Sequence, residues 1–454
     1  MKHFDHMIIG TGQATGTLLS KLSGTGDSIV IIEGHKVGGS CVNYGCTPTK
    51  TMVASAKAIH QARRGDFYGF QAVPKVDFTR VMARMNEIRN GSSNGLRGWI
   101  TSEEKVTLID GWAHFSGKKA VEVNGEQISA DKIYINVGTS PAAPPIAGIE
   151  KVPWLDSAGL LELERLPKHL IVVGGGYIGV EFAQVFNRLG SEVTIIQRGA
   201  QLMPQEDPEI AKTIEEILIS EGISVLLEAN ARSVKHNDSF RLEVEQNGTT
   251  STLVGDQLLI AAGRKPNTQQ LQLEKSGIAI NERGFILVND YCETNVKDVF
   301  AVGDVNGHGA FTHTAVNDAE IVLDYLFGGN RKLSNRIPVY ALFSDPPLGR
   351  VGMTEKEALA KGHKIMKASK LMSTISRAKE MGETQGLAKL IVDAKSDLIL
   401  GAAILGPGGD EIINMFAAIM HSGIPCRNYR EVVLVHPTVS ELMPYVLDGL
   451  KVVE

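Results

Sequence analysis

The chain has 454 residues, enough for about three domains with separate cores, so a small disulfide-stapled or zinc-folded module is excluded. Lys and Arg number 46 against 51 Asp and Glu, and this formal charge of -5 leaves no basic field to neutralise the phosphates of a nucleic acid. Apolar residues at 43% and charged ones at 21%, with no run of about 18 apolar residues and no apolar leader in MKHFDHMIIGTG, lead us to expect a cytoplasmic protein that meets neither membrane nor nucleic acid.

In chain order, His6 to Ile9 reads as a short apolar strand. Gly10-Thr11-Gly12 follows, then a helical stretch from Gln13 to Leu22 and a second strand from Ile29 ending at Glu33. The same strand, glycine turn, helix and strand recur at Leu170 to Val173, Gly174 to Gly179, a helix to about Leu189, and Val193 to Ile196. Three seams, SPAAPPIAG (Ser140 to Gly148), GRKPNT (Gly263 to Thr268) and GGNRKLSNRIP (Gly328 to Pro338), divide the chain. A first nucleotide domain at 1–148, an inserted one at 149–265, a return segment at 266–334 and a C-terminal domain at 335–454 are expected.

In GxGxxG after a buried strand, the first glycine makes the tight turn and the second lets backbone approach a pyrophosphate. The third lets helix and strand pack closely, and the helix N-terminus stabilises the phosphate charge. Gly174, Gly176 and Gly179 meet the pattern, whereas the first unit has Gly10 and Gly12 but Thr15 in the third place, which predicts slightly looser packing there. Glu33 can accept hydrogen bonds from both hydroxyls of an unmodified ribose, as in FAD or NAD. The second unit ends instead in Gln197-Arg198, with no carboxylate to repel a 2′-phosphate and a guanidinium suited to bind one, so NADPH is expected there and NADH is the alternative.

Cys41 and Cys46 stand five positions apart in CVNYGCTPTK, with Pro48 in a first helical turn and Lys50 just beyond. No further CxxC or HxxxH lies close, which argues against structural zinc, and the bland alternative is a pair of buried thiols. A helix N-terminus and a nearby lysine both lower a thiol pKa, the setting of a reversible disulfide. Cys292 and Cys426 lack such partners in sequence and are expected to be ordinary core or surface thiols.

Read together, GSCVNYGCTPTK, GGGYIGVEF, AAGRKPN, VFAVGDV and HPTVSE resemble, in that order and across nearly the whole chain, the class I pyridine nucleotide-disulfide oxidoreductases. Dihydrolipoamide dehydrogenase, glutathione reductase and mercuric reductase are members. The resemblance implies an α/β protein with two Rossmann-like dinucleotide-binding domains plus a C-terminal α+β dimerisation domain. FAD would lie on the first and return segments, NADPH on the insert, in a homodimer whose active sites are shared between subunits. It implies that Cys46 is the thiol that contacts the flavin and Cys41 the interchange thiol that meets substrate. Lys50 would sit near the flavin with Glu181 as its counter-charge, and Tyr177 would gate the nicotinamide pocket. Asp304 would bind the ribityl chain, with Gly39, Ser40, Ala113, Gly138 and Thr312 near FAD and Gly263 near the nicotinamide cofactor. His436, held by Glu441, would be the acid-base serving the interchange thiol of the other subunit.

For substrate, SDPPLGRVGMTE and SRAKEMGE look most like mercuric reductases and bacterial reductases of hypothiocyanous acid. The chain ends DGLKVVE without the vicinal cysteine pair of mercuric reductases, and it keeps the HPTxxE dyad that they tend to lack. A thiol-reactive oxidised small molecule, a disulfide or hypothiocyanous acid-type oxidant, is therefore expected as substrate. A soft-metal reductase, a lipoamide dehydrogenase and a non-catalytic flavoprotein subunit are the alternatives, and glutathione finds no obvious basic cluster for its carboxylates.

Overall fold

The computed structural model describes residues 1–453. Strand Lys2–Ile9 ends in an apolar run because its C-terminal half is covered on both faces, and Met7, Ile8 and Ile9 are buried. It lies between Ile29–Glu33 and Glu126–Ile135, parallel to both, with Met7 opposite Val30 and Ile133. Val106–Asp110 extends this sheet beyond Ile29–Glu33, and the hairpin Ala120–Val123 and His114–Gly117 extends it on the other side. The return segment completes it: Val299–Ala301 pairs with Glu126–Ile135, and helix Thr312–Leu326 packs Ala315, Ala319 and Val322 with Leu18 and Leu22 of helix Gln13–Leu22 over Ile8.

The second unit repeats the logic on a smaller scale. Strand His169–Val173 is central in a parallel sheet with Glu192–Ile196, Ser224–Leu226 and Gln257–Ile260, and helix Tyr177–Leu189 buries ten of its residues. An antiparallel ribbon of Ala229–His236, Phe240–Gln246 and Thr249–Gly255 covers the far face. The first two seams are not open linkers. Thr139–Pro141 and Arg264–Pro266 pair antiparallel with Ser140 opposite Lys265, so the chain enters and leaves the second unit through one two-stranded ribbon. Arg264 reinforces it, its Nε donating to Thr139 Oγ1 at 2.7 Å and a terminal nitrogen to the Thr139 carbonyl at 2.7 Å.

Residues from Val339 onward form a six-stranded antiparallel sheet backed by helix Gly409–His421. Two cations buried in this sheet find their partners in the second unit: Arg350 binds Glu206 and Asp207 at 2.6 and 2.7 Å, and Lys389 binds Glu209 at 2.6 Å. A buried cation without such a partner would be strongly unfavourable, so these pairs fix how the two units meet. No described helix is long and apolar enough to cross a membrane.

Candidate active site

Cys46 is the first residue of the 18-residue helix Cys46–Arg63, preceded by Gly45, with Pro48 in the first turn and Lys50 one turn on, on the same face. Cys41 sits on a separate short helix, Gly39–Tyr44. The Asn43 side chain fixes that helix, donating to the carbonyls of Val37 and Gly39 at 3.0 Å each. The two thiols are hydrogen-bonded to each other, and the Thr312 hydroxyl lies 3.3 Å from Cys46 Sγ.

This arrangement makes the sulfurs unequal. The Cys41 hydrogen bond, then that of Thr312 and the Lys50 charge, hold Cys46 at about 6 against the opposing effects of burial and Glu181. The same pairing and burial push Cys41 up. In the reduced pair the negative charge therefore rests on Cys46, while Cys41 keeps its proton until a base removes it.

Lys50 Nζ meets Glu181 Oε2 at 2.7 Å, and the other Glu181 oxygen accepts from the Phe343 amide at 2.9 Å. The ammonium also faces the Phe343 ring, 4.6 Å from its centroid. Three parts of the chain thus converge on one carboxylate. The same helix, Tyr177–Leu189, then grips the C-terminal unit through Gln184 and Arg188, which bind Asp345, whose other oxygen takes Lys57 at 3.0 Å.

Around the first glycine turn the backbones are too close for side chains. A Cβ on Gly10 would lie 2.4 Å from the Asn136 carbonyl, and one on Gly39 2.9 Å from Gly12 Cα, so the cysteine loop rests directly on the phosphate-type turn. Thr15 does not loosen this packing, contrary to the expectation from its size. It is fully buried, its hydroxyl donating to the Gly10 carbonyl and accepting from Asn136 Nδ2, both at 2.9 Å. Glu33 is also buried, and Oε2 accepts from the Thr11 amide at 2.8 Å and from the Thr11 hydroxyl, while Oε1 accepts from the His35 amide at 2.8 Å. That leaves about one acceptor position, on Oε1, where acceptance from both ribose hydroxyls was expected. Gly138 has positive φ and open space where a Cβ would be, Ala113 is buried beside the sheet, Ser40 is exposed, and Asp304 accepts from Thr139 at 2.8 Å. The close backbone cradle, the carboxylate at the strand end and the open Gly138 position fit the diphosphate, ribose and ribityl parts of FAD.

In the second unit a Cβ on Gly174 would lie 2.5 Å from the Ala261 carbonyl and one on Gly179 2.0 Å from the Gly174 carbonyl, whereas one on Gly176 would meet nothing. Gly176, Tyr177, Gly263 and Asp304 border one cavity of about 680 Å³ between the two nucleotide units, which fits a nicotinamide cofactor approaching the first unit. The Tyr177 ring packs on Phe311 at 5.4 Å. Gln197 turns its amide inward, its oxygen accepting from the Gly175 amide at 3.1 Å, and leaves Arg198 exposed beside it.

His436 and Glu441 are joined at 2.9 Å, with the histidine 76% exposed, and no hydrogen bond or ion pair within the described chain connects them to Cys41. Val433 and Val435 beside them are 95% and 76% exposed. Cys292 and Cys426 are both buried; Cys426 does have a partner, donating to Asp397 at 3.1 Å, and burial with that carboxylate pushes it up to about 12.

Asn136, Thr11, Thr139, Arg264 and Phe343 belong to the site but were not singled out from the sequence. For Asn136 a signal existed: it closes the apolar run Ile133-Tyr134-Ile135, as Glu33 closes its own strand.

Comparison with known proteins agrees with this geometry. The pyridine nucleotide-disulphide oxidoreductase family model matches residues 4–319, and its dimerisation domain matches residues 339–446. The chain is 38% identical over 450 residues to the probable pyridine nucleotide-disulfide oxidoreductase RclA of Escherichia coli K12, covering 97% of this chain and 98% of that protein. It is 34% identical over 442 residues to a mercuric reductase of Lysinibacillus sphaericus, covering 97% and 81%. A dihydrolipoyl dehydrogenase of Thermus scotoductus is 33% identical over 447 residues, covering 97% and 96%. Among solved structures, the HOCl-induced flavoprotein disulfide reductase RclA from Escherichia coli superposes with a TM-score of 0.89 at 37% identity, covering 98% of this chain and 99% of that one. A Cu(II) complex of the same protein gives 0.89 as well.

Proposed function

The chain belongs to the pyridine nucleotide-disulphide oxidoreductase family, and from that premise we propose that this enzyme passes electrons from NADPH through FAD and the Cys41-Cys46 pair to a thiol-reactive oxidised small molecule. The observation that carries the reading is the inequality of the two thiols: a thiolate held on Cys46 by the Cys41 hydrogen bond, Thr312 and Lys50, beside a protonated Cys41 that another group must activate.

Bound FAD supplies the two-electron step between the nicotinamide and the thiol pair. Glu33, Gly10, Gly12, Gly39, Ser40, Ala113, Gly138, Asp304 and Thr312 would hold it, and Gly174, Gly176, Tyr177, Gly179, Gln197, Arg198 and Gly263 would hold the nicotinamide cofactor. Lys50 keeps positive charge beside the pair, and Glu181 keeps that ammonium in place. The Cys41 thiolate attacks the electrophilic sulfur of the substrate, forming a mixed disulfide and expelling a thiolate or hydroxide. Cys46 then attacks Cys41, closing the internal disulfide and releasing the second product, for instance thiocyanate from hypothiocyanous acid. The substrate has gained two electrons and the pair has lost them. His436, fixed by Glu441, takes the Cys41 proton and returns it to the leaving group. In one chain it is exposed and apart from Cys41, which supports a homodimer in which each site takes its histidine from the other subunit.

Arg198 supports NADPH over NADH and weighs against a lipoamide enzyme. Two adjacent thiols favour one second reading, a soft-metal reductase, but metal reduction gives no role to the His436-Glu441 pair. A thiol pair that must cycle through its reduced form suits the cytoplasm.

The deciding test is NADPH consumption by the flavin-loaded enzyme with hypothiocyanous acid, small disulfides and thiol-complexed Hg(II) in parallel. Turnover of a sulfur oxidant with stalling on mercury is expected, and both Cys41→Ser and Cys46→Ser abolish it. Sustained mercury turnover, or activity surviving in both variants, overturns the reading.

A further inference from the structure

Trp112 is 63% exposed, yet it sits on a built surface. A Cβ placed on Gly34 would lie 2.6 Å from Trp112 Cδ2, 2.7 Å from Cε3 and 2.9 Å from Cε2. Those atoms lie at and beside the fusion of the two rings, so the indole rests face-down on the Gly34 backbone, and any side chain at position 34 would lift it away. Gly34 follows Glu33 directly. The loop that carries Trp112 is tied to the same place: Glu33 pairs with Asp110 in register, and the Gly111 amide donates to the Glu33 carbonyl at 2.8 Å. Ala113, the next residue, turns inward to 7% exposure, which leaves Trp112 pointing outward over the strand ends.

In a dinucleotide-binding βαβ unit the acidic residue closing the second strand holds the ribose, and the ligand lies outside the carboxyl ends of the strands. The base attached to a ribose held by Glu33 must then lie beside the loops that follow Ile29–Glu33 and Val106–Asp110. Those loops carry Gly34 and Trp112. A large exposed aromatic with one face seated on backbone and the other open is a stacking surface for a purine, and stacking on such a ring contributes measurably to binding of a base. We propose that Trp112, seated on Gly34, is a platform for the adenine of FAD, a positioning and specificity residue for the cofactor distant from the thiols. The proposal rests on the flavin reading above.

The test uses the full chain stripped of flavin. ADP carries the adenine without a flavin to accept tryptophan energy, so tryptophan emission reports contact; the difference between the parent and Trp112→Phe isolates this residue from Trp99 and Trp154. ADP is expected to quench the Trp112 share of emission. Trp112→Ala is expected to weaken FAD about tenfold, with Trp112→Phe between, and to leave FMN, which lacks the adenosine, at the parent's affinity. Parent-like FAD affinity in Trp112→Ala overturns the platform, as does a loss shared equally by FAD and FMN. If the alanine variant does not fold, ADP quenching in the parent decides, and its absence overturns the proposal. Failure of the parent to bind FAD at all overturns the flavin reading, and the platform with it, and is thereby distinct from failure of the platform alone.

Discussion

Lys50 Nζ stands 2.7 Å from Glu181 Oε2, so the charge one helical turn beyond Cys46 is answered by a carboxylate from the second nucleotide unit. The two act on Cys46 with opposite sign, the ammonium lowering its pKa and the carboxylate raising it. Lys50→Met therefore shifts the midpoint of Cys46 alkylation against pH upward, and Glu181→Gln shifts it downward, both measured in a Cys41→Ser background. Shifts of the same sign in both variants would mean that the pair acts by holding the helix and not by charge.

The reduced and oxidised forms are expected to differ in stability in a pH-dependent way. Cys46 has its folded value depressed to about 6 from the ordinary 9.0, so its contribution is complete above pH 9 and disappears as pH falls through 6. Cys41 is raised, so the folded state disfavours its ionisation and loses stability above pH 9. The melting midpoint of the reduced chain minus that of the disulfide form should rise from about pH 6 to about 9 and fall beyond it. A flat difference would contradict the assignment of the charge to Cys46.

Arg198 is the exposed cation after strand Glu192–Ile196, and the Gln197 amide is already committed to Gly175. Arg198→Ala should raise the KM for NADPH roughly tenfold, the loss of a charge-assisted contact to phosphate, while the KM for NADH stays within about twofold. Steady-state kinetics with both nucleotides checks this, and equal losses would show that the guanidinium does not read the 2′-phosphate.

Subunit mixing tests the shared site. Cys41→Ser and His436→Ala should each be inactive as homodimers. If His436 serves the other chain's Cys41, a mixed dimer has one intact site of two, and random exchange in equal amounts restores about a quarter of parent activity. No recovery, with exchange verified by mass, would place both residues of a site in one chain.

The opening strand, glycine turn, helix and second strand of each nucleotide unit were legible because their signals are local: an apolar strand, a glycine that only open backbone tolerates, a polar residue at the strand end; the later strands, Val106–Asp110 and Glu126–Ile135 among them, were not placed. The thiol pair and Lys50 were legible for the same reason, lying within ten residues of one another. What escaped is what the fold brings from afar. Thr15 looked like a flaw until Asn136, 121 positions away, supplied its partner. The paired state of the seams, and the grip of Gln184 and Arg188 on Asp345, depend on register between segments that no periodicity announces.

The ribbon of Thr139–Pro141 and Arg264–Pro266 brings the two ends of the second unit side by side. A unit whose entrance and exit are adjacent behaves as a cassette: it can be exchanged or reshaped while its host keeps both of its ends in place. If nucleotide preference resides around Gln197 and Arg198, as proposed above, it is separable in evolution and in engineering from the thiol chemistry, and the Arg264 clasp on Thr139 marks the joint at which a transplant would have to be made.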